Sequence, residues 1–308
     1  MSTTRSDRSN HRGSSVDRPL LPDITMRQLE YLVAIDDAPT WAVAAERVGV
    51  SPSALSQGLA ELERRIGVDL FENVGRRRVL RATARPVLDH ARQVVTLTTD
   101  LTRWSTRLRD GTSGSVRLGM VDVAAVVHFP DVLRSFRSER GDVDLLLSVA
   151  PSRALLDDVA RGGLDLAVCV EPPEPLPGID TVALLSETLV VYAPPTTVIG
   201  HPSTWGPWVL FPSDSHTRRA VEQRLVEVGA RVDIAAESHQ PDVLREMVQL
   251  GLGWTVLPRT QGETAQADLV VGDRLLERKL VLARRSRSVH DPAADDLAAR
   301  LRRRPQPA

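Results

Sequence analysis

Positions 49–52 read Gly-Val-Ser-Pro, and these four residues leave little freedom in what surrounds them. A glycine just past an apolar run stops a helix, a serine N-cap starts one, and a proline is best tolerated in the first helical turn. One helix must therefore end near Val48 and another begin at Pro52. Upstream, Thr25 and Gln28 have capping-box spacing, and Leu29, Leu32, Val33 and Ile35 form a helical stripe that runs out near Asp36-Asp37-Ala38-Pro39. Thr40 caps a second short helix, whose Trp41, Ala44, Ala45 and Val48 let a neighbour pack closely. Ala54, Leu55, Leu59, Leu62 and Ile66 give the third helix its buried face. Two short helices around a glycine turn predict a helix-turn-helix.

The exposed face of the third helix carries Ser53, Ser56, Gln57 and Arg64, with Ser51 as the N-cap before them. Short polar groups in the first turns and a cation at the end suit a helix that meets base edges in a DNA groove, and equally suit a solvated face. The next segment adds weight to the first reading. Asp69-Leu70-Phe71-Glu72 and Val79-Leu80 flank a turn at Gly75 with Arg76, Arg77 and Arg78 beside it, the pattern of a β-wing with a basic tip. The chain as a whole has a net charge of −1, so any nucleic-acid contact must come from a local patch. Arg64, Arg65, Arg76, Arg77, Arg78, Arg81, Arg85 and Arg92 form one, with only Asp69, Glu72 and Asp89 as acids between them. Ser51, Ser53, Ser56, Gln57, Arg64, Arg76, Arg77 and Arg78 are the candidate DNA contacts.

The motifs Arg27-Gln28-Leu29, Ala44-Ala45-Glu46-Arg47, Val50 through Gln57, and Leu62-Glu63 through Gly67-Val68-Asp69-Leu70-Phe71-Glu72 run without gaps. This stretch resembles the N-terminal domain of the LysR-type transcriptional regulators. Two positions depart from that pattern. Pro52 stands where glutamine is frequent, and Ala82-Thr83-Ala84-Arg85-Pro86 replaces the usual threonine-x-alanine-glycine before the linker helix.

From Pro86 to about Arg109 no glycine or further proline interrupts a helix in which Val87, Ala91, Val94, Thr98, Leu101 and Leu108 approximate a heptad seam, with Leu88 and Val95 beside it. Periodicity alone fits a helix packed on its own domain as well as a dimer seam. The resemblance implies pairing of two subunits, which suits two-fold symmetric DNA sites.

Asp110-Gly111-Thr112-Ser113-Gly114-Ser115 reads as a hinge. Beyond it, strands expected at 116–121, 144–149 and 165–170 alternate with helices at 127–139 and 153–161, the signal of α/β units on a largely parallel sheet. A second set of strands is expected at 188–192, 208–211, 231–236 and 253–257, and 279–283 returns toward the first. The expected class is α/β: an N-terminal, largely helical winged helix-turn-helix followed by a C-terminal two-lobed domain similar to type II periplasmic-binding proteins. The boundaries expected are a disordered leader at 1–22, the winged domain at 23–83, a linker and dimerisation helix at 84–110, and an effector domain at 111–308. Its lobes are placed at about 111–187 with 283–308, and at about 188–282.

In such sheets ligands sit beyond the carboxyl ends of the strands, where helix N-termini also point. By the resemblance Asp122, Ser213, Ser215, Thr217 and Ser238 line an effector pocket, and Cys169 and Glu171, at the end of another strand, would face it. Hydroxyls and acids before helices are also ordinary N-caps. Two acids in one cleft disfavour an anion and favour a cationic, zwitterionic or hydroxyl-rich effector. Cys169 stands without a resolving cysteine, which favours a buried structural thiol over a redox sensor.

Glycine-rich phosphate loops and G-x-S-x-G elbows are missing from the sequence. His201, His216, His239 and His290 follow no metal-ligand spacing, so an enzyme on the same two-lobed fold finds no chemistry here and no cofactor is expected. A ligand-free oligomerisation module remains an alternative for the C-terminal part. The expected partners are double-stranded promoter DNA, a second copy of the chain in a dimer or tetramer, a small effector and, for an activator, RNA polymerase. Residues 1–22 carry no apolar signal core and no run is long enough to span a bilayer, so the cytoplasm is the expected compartment.

Overall fold

The computed structural model describes residues 23–75, 77–110, 114–263, 268–288 and 291–303. The expected disordered leader and half of the hinge, residues 111–113, lie outside them. The described chain divides into two compact units at Val95 and Thr96.

The first unit opens with α1 (Met26–Asp37), α2 (Trp41–Arg47) and α3 (Pro52–Ile66). Each begins as the sequence predicts. Thr25 and Gln28 close a capping box, Thr40 accepts from Val43 N, and Ser51 accepts from Ala54 N with Pro52 in the first turn. α3 ends on Gly67 in the left-handed conformation, at φ 70°. Leu32, Leu55, Leu59 and Leu62 are fully buried among these helices. Gly58 lets α3 approach α1, because a Cβ there would lie 2.7 Å from the Tyr31 ring. The wing is the antiparallel hairpin β1 (Phe71–Val74) and β2 (Arg77–Leu80).

After a short 3-10 turn, α4 (Arg85–Asp110) runs for 26 residues. Leu88 and Ala91 are buried in the first unit's own core, with Val87, Val94 and Val95 packed against it. Half of the predicted seam is thus occupied within the chain, while Leu101, with Trp104 beside that seam, stays exposed.

The second unit contains a six-stranded sheet in the order β4-β3-β5-β10-β6-β9 and a two-stranded parallel sheet, β7-β8. In its first lobe β3 (Ser115–Met120), β4 (Asp144–Val149) and β5 (Leu166–Val170) run parallel. A wide helical turn (Ala124–His128), α5 (Pro130–Glu139) and α6 (Ser152–Arg161) connect them. β6 (Ile179–Ala193) carries the chain into the second lobe. There β7 (Trp208–Leu210), α7 (His216–Glu227), β8 (Ile234–Glu237), α8 (Pro241–Gln249), β9 (Thr255–Pro258) and the one-turn α9 (Arg259–Gly262) follow. β10 (Val270–Arg285) brings it back, and α10 (Pro292–Arg303) closes the first lobe. The sheet is mixed rather than largely parallel, because β10 pairs antiparallel with both β5 and β6. Leu280 to Ala283 belong to the first lobe's core, and Leu275 to the second's. No described helix is long and apolar enough to cross a membrane.

Candidate functional site

The first unit presents α3 and the wing. Ser51, Ser53 and Gln57 are exposed at the start of α3, with Ser56 half-buried. The Ser51 and Ser53 hydroxyls lie 2.9 Å apart. Arg64 is largely exposed, but its guanidinium grips Glu61 through two bonds of 2.5 and 2.8 Å, and Arg65 holds the same carboxylate. These hydrogen bonds pull Glu61 down to about 2.

Arg78 differs from the expected phosphate contact. Its Nη2 donates to Glu63 Oε2 at 2.8 Å, and its guanidinium lies 4.8 Å from the Phe71 ring centre and 5.1 Å from that of Trp41. Trp41 Nε1 in turn donates to the Arg78 carbonyl. Glu63 Oε1 also accepts from the amides of Leu70 and Phe71, at 2.8 and 3.1 Å. Arg78 and Glu63 therefore fasten the wing to α3. Arg85 and Arg92 are bound to Asp36 and Asp37 at the end of α1, and Arg81 to the Phe71 carbonyl. Much of the basic run is thus neutralised by local partners. Arg76 and the Arg77 side chain lie outside the described residues.

The second unit encloses a cavity of about 330 Å3 between its lobes, a size suited to a small organic molecule. Asp122, Ser215 and Thr217 line it as expected, joined by Ser152, Arg153, Asp214, His216, His239, Gln240 and Arg278. Arg278 had no signal in the sequence, because it stands just before the expected strand at 279–283, which in the structure begins at Val270. It is buried, with Nε 2.8 Å from Glu187 Oε2 and Nη1 2.9 Å from Thr217 Oγ1. Glu187 Oε1 lies 2.8 Å from His128 Nε2. Burial opposes the charge on Glu187, but the Arg278 charge and the hydrogen bonds of His128 and Arg278 outweigh it and hold this carboxyl below its usual range. Burial raises Asp122, only partly offset by the Val123 amide, the Arg278 charge and the Gln261 amide 3.0 Å away. Burial likewise lowers His216.

Four expected pocket residues fall elsewhere. Cys169 is fully buried in the first lobe's core, and burial pushes its thiol up to about 12, so it neither faces the cleft nor forms a thiolate. Glu171 is exposed outside the lining, with Lys279 Nζ 3.8 Å away. Ser213 is exposed outside it too. Ser238 Oγ accepts from Gln240 N at 3.1 Å, a local turn bond.

The helices α6, α7 and α8 all start at the cleft, and none has a side-chain cap among the described residues, whereas α1, α2 and α3 are all capped. Residues that open or cap these three helices line the same cavity as Arg278, so the positive ends of three helix dipoles lie beside it.

A winged helix-turn-helix on one chain with a two-lobed cleft domain defines a DNA-binding transcriptional regulator with a substrate-binding domain. Residues 26–85 match the model of the bacterial regulatory helix-turn-helix proteins of the lysR family, and residues 109–306 match the LysR substrate binding domain. The chain belongs to the LysR family of transcriptional regulators. It is 28% identical to the HTH-type transcriptional regulator IlvR of Caulobacter vibrioides, over 90% of this chain and 96% of that protein. It is 25% identical to the RuBisCO operon transcriptional regulator of Allochromatium vinosum, over 76% and 79%. The fold is similar to full-length CbnR in complex with its target DNA, with a TM-score of 0.56 and 19% identity over 91% of this chain and 99% of that one. It is also similar to a full-length OxyR variant from Pseudomonas aeruginosa, with a TM-score of 0.60 and 20% identity over 91% and 95%.

Proposed function

We propose that this regulator binds double-stranded promoter DNA as a homo-oligomer and answers to a small anionic effector held between its lobes. In the DNA-bound form Ser53, Ser56 and Gln57 on α3 read base edges, Arg76 and Arg77 at the wing hold phosphates, and Arg78 positions the wing. Exposed Leu101 and Trp104 on α4 supply apolar surface for a second copy. The molecule acts in the cytoplasm, with RNA polymerase as a further partner where it activates, and it binds its effector without turning it over.

The observation that carries the effector reading is the buried Arg278 beside three helix starts without side-chain caps around one cavity. Glu171 stands outside that lining, and the two acids within it, Asp122 and Asp214, are matched in number by the cations Arg153 and Arg278. Thermal unfolding of the full chain with acetate, succinate and benzoate, each against its amide, tests this. Stabilisation by a carboxylate and not by its amide is expected. Equal shifts, or none with any of the six, would contradict an anionic effector.

A further inference from the structure

We propose that α6 and β10 form a rigid coupling that reports the state of the cleft to α4, with Asp100 and Arg285 as its joint. This rests on the reading of the cleft as the effector site and assigns the regulation of that site. α6 touches the cleft at its first turn and α4 at its last, and β10 touches the cleft at its middle and α4 at its C-terminal end. The first turn of α6 lines the cleft with Ser152 and Arg153, and Ser152 Oγ accepts from the Val170 amide at 3.1 Å. Ten residues on, at a rise of about 1.5 Å each, α6 ends in a set of carbonyls held by residues of α4, β3 and β10. Thr96 Oγ1 donates to the Arg161 carbonyl at 3.4 Å. Arg103 and Arg117 share the Gly162 carbonyl, at 3.2 and 2.7 Å. Arg285 Nη1 reaches the carbonyls of Val159 and Leu164, at 3.1 and 3.3 Å.

The same Arg285 donates through Nη2 to Asp100 of α4 at 2.6 Å, with both side chains about nine-tenths buried. Seven residues earlier on the same strand, Arg278 lines the cleft. A displacement of β10 at Arg278 therefore acts on Asp100 through one continuous strand. There is no slack at the other contact. Gly162 is left-handed at φ 74°, and a Cβ on it would lie 2.6 Å from the Thr96 methyl. Arg103, Arg117 and Arg285 all donate to carbonyls in the last turn and C-cap of α6, where the negative end of the helix dipole favours cations. Packed contacts of this kind shift between discrete arrangements rather than deform. Residues 85–95 of the same α4 carry Leu88 and Ala91 into the DNA-binding unit's core, so a pull on Asp100 acts on the helix that builds that unit.

Hydrogen exchange on the full-length protein tests the coupling without an effector. Thr217→Val and Ser152→Ala each loosen the cleft end, the first by removing an acceptor of Arg278 and the second by freeing the start of α6. Each is expected to change exchange of the amides at 97–106 by threefold or more, and to lose that effect when combined with Asp100→Asn. Undisturbed exchange at 97–106 in both cleft variants, with altered exchange around α6 or α7, would overturn the coupling. So would an equal response in the Asp100→Asn background. DNA affinity of the same proteins reports separately on the regulatory use of the coupling, and the comparison of carboxylates with their amides reports on the effector reading. Altered exchange at 97–106 with unaltered DNA binding would leave the coupling standing and remove its regulatory use.

Discussion

Arg278 and Glu187 stand opposite each other on adjacent antiparallel strands, with 2.8 Å between Nε and Oε2, both buried where β6 and β10 cross between the lobes. Removing either partner leaves the other buried without its opposite charge or ion-pair hydrogen bond, Glu187 keeping only His128 and Arg278 only Thr217 among the described residues. Arg278→Ala should lower stability by about 3–5 kcal/mol, and Arg278→Ala with Glu187→Gln should cost less than the sum of the single changes. Urea unfolding monitored by tryptophan fluorescence checks this, and strict additivity would mean that the pair is not coupled.

The same carboxylate sets an acid limit. The folded pKa of Glu187 lies below the ordinary glutamate value of about 4.3, so its stabilisation is complete above that pH and is lost as pH falls through the folded pKa. Glu187→Gln should be less stable than the parent at pH 7 and show a smaller further loss below about pH 4. Parallel pH profiles would refute the assignment.

Asp122 has the opposite sign. Burial raises its pKa, so the stability linked to its protonated form is present below about pH 3.9 and lost as pH rises through the folded value. Asp122→Asn should be neutral or stabilising at pH 7. It should also bind a carboxylate about fivefold more tightly, roughly 1 kcal/mol once solvent screening in the open cleft is allowed for. Calorimetric titration with the carboxylate that most stabilises the parent measures this, and weaker binding would place the anion elsewhere.

The winged domain depends on Glu63, which accepts from two amides and from Arg78. Glu63→Ala should cost about 2–4 kcal/mol, whereas Glu63→Gln keeps an acceptor and should cost less. Gly58→Ala should cost about 1–3 kcal/mol, because the added methyl meets the Tyr31 ring. Thermal unfolding of the full chain ranks all three, and a neutral Glu63→Ala would break the proposed fastening of the wing.

These positions also show what the chain discloses before folding. Ser51, Pro52 and Gly67 act within a turn of themselves, so the limits of α3 could be read directly. Asp122, Ser215 and Thr217 precede or open helices after strands, a local pattern that brought them to the cleft. Cys169 shared the strand-end pattern and belongs to the core, because all of β5 is buried and alternation says nothing there. Arg278 and Glu187 are 91 positions apart. Their pairing depends on two strands much longer than their apolar runs suggested, since polar residues occupy the exposed stretches of both. Arg78 belonged to a visible basic run, but its rings and its carboxylate come from α2, β1 and α3 and meet only in the folded domain.

Hydroxyl-radical footprinting of the full-length protein on the DNA upstream of its own gene tests most directly that α3 reads DNA in a symmetric assembly. Two protected segments about one helical turn apart, related by two-fold symmetry and lost or redirected by Gln57→Ala, are the predicted result. Protection that is absent, or that Gln57→Ala leaves unchanged, would contradict it.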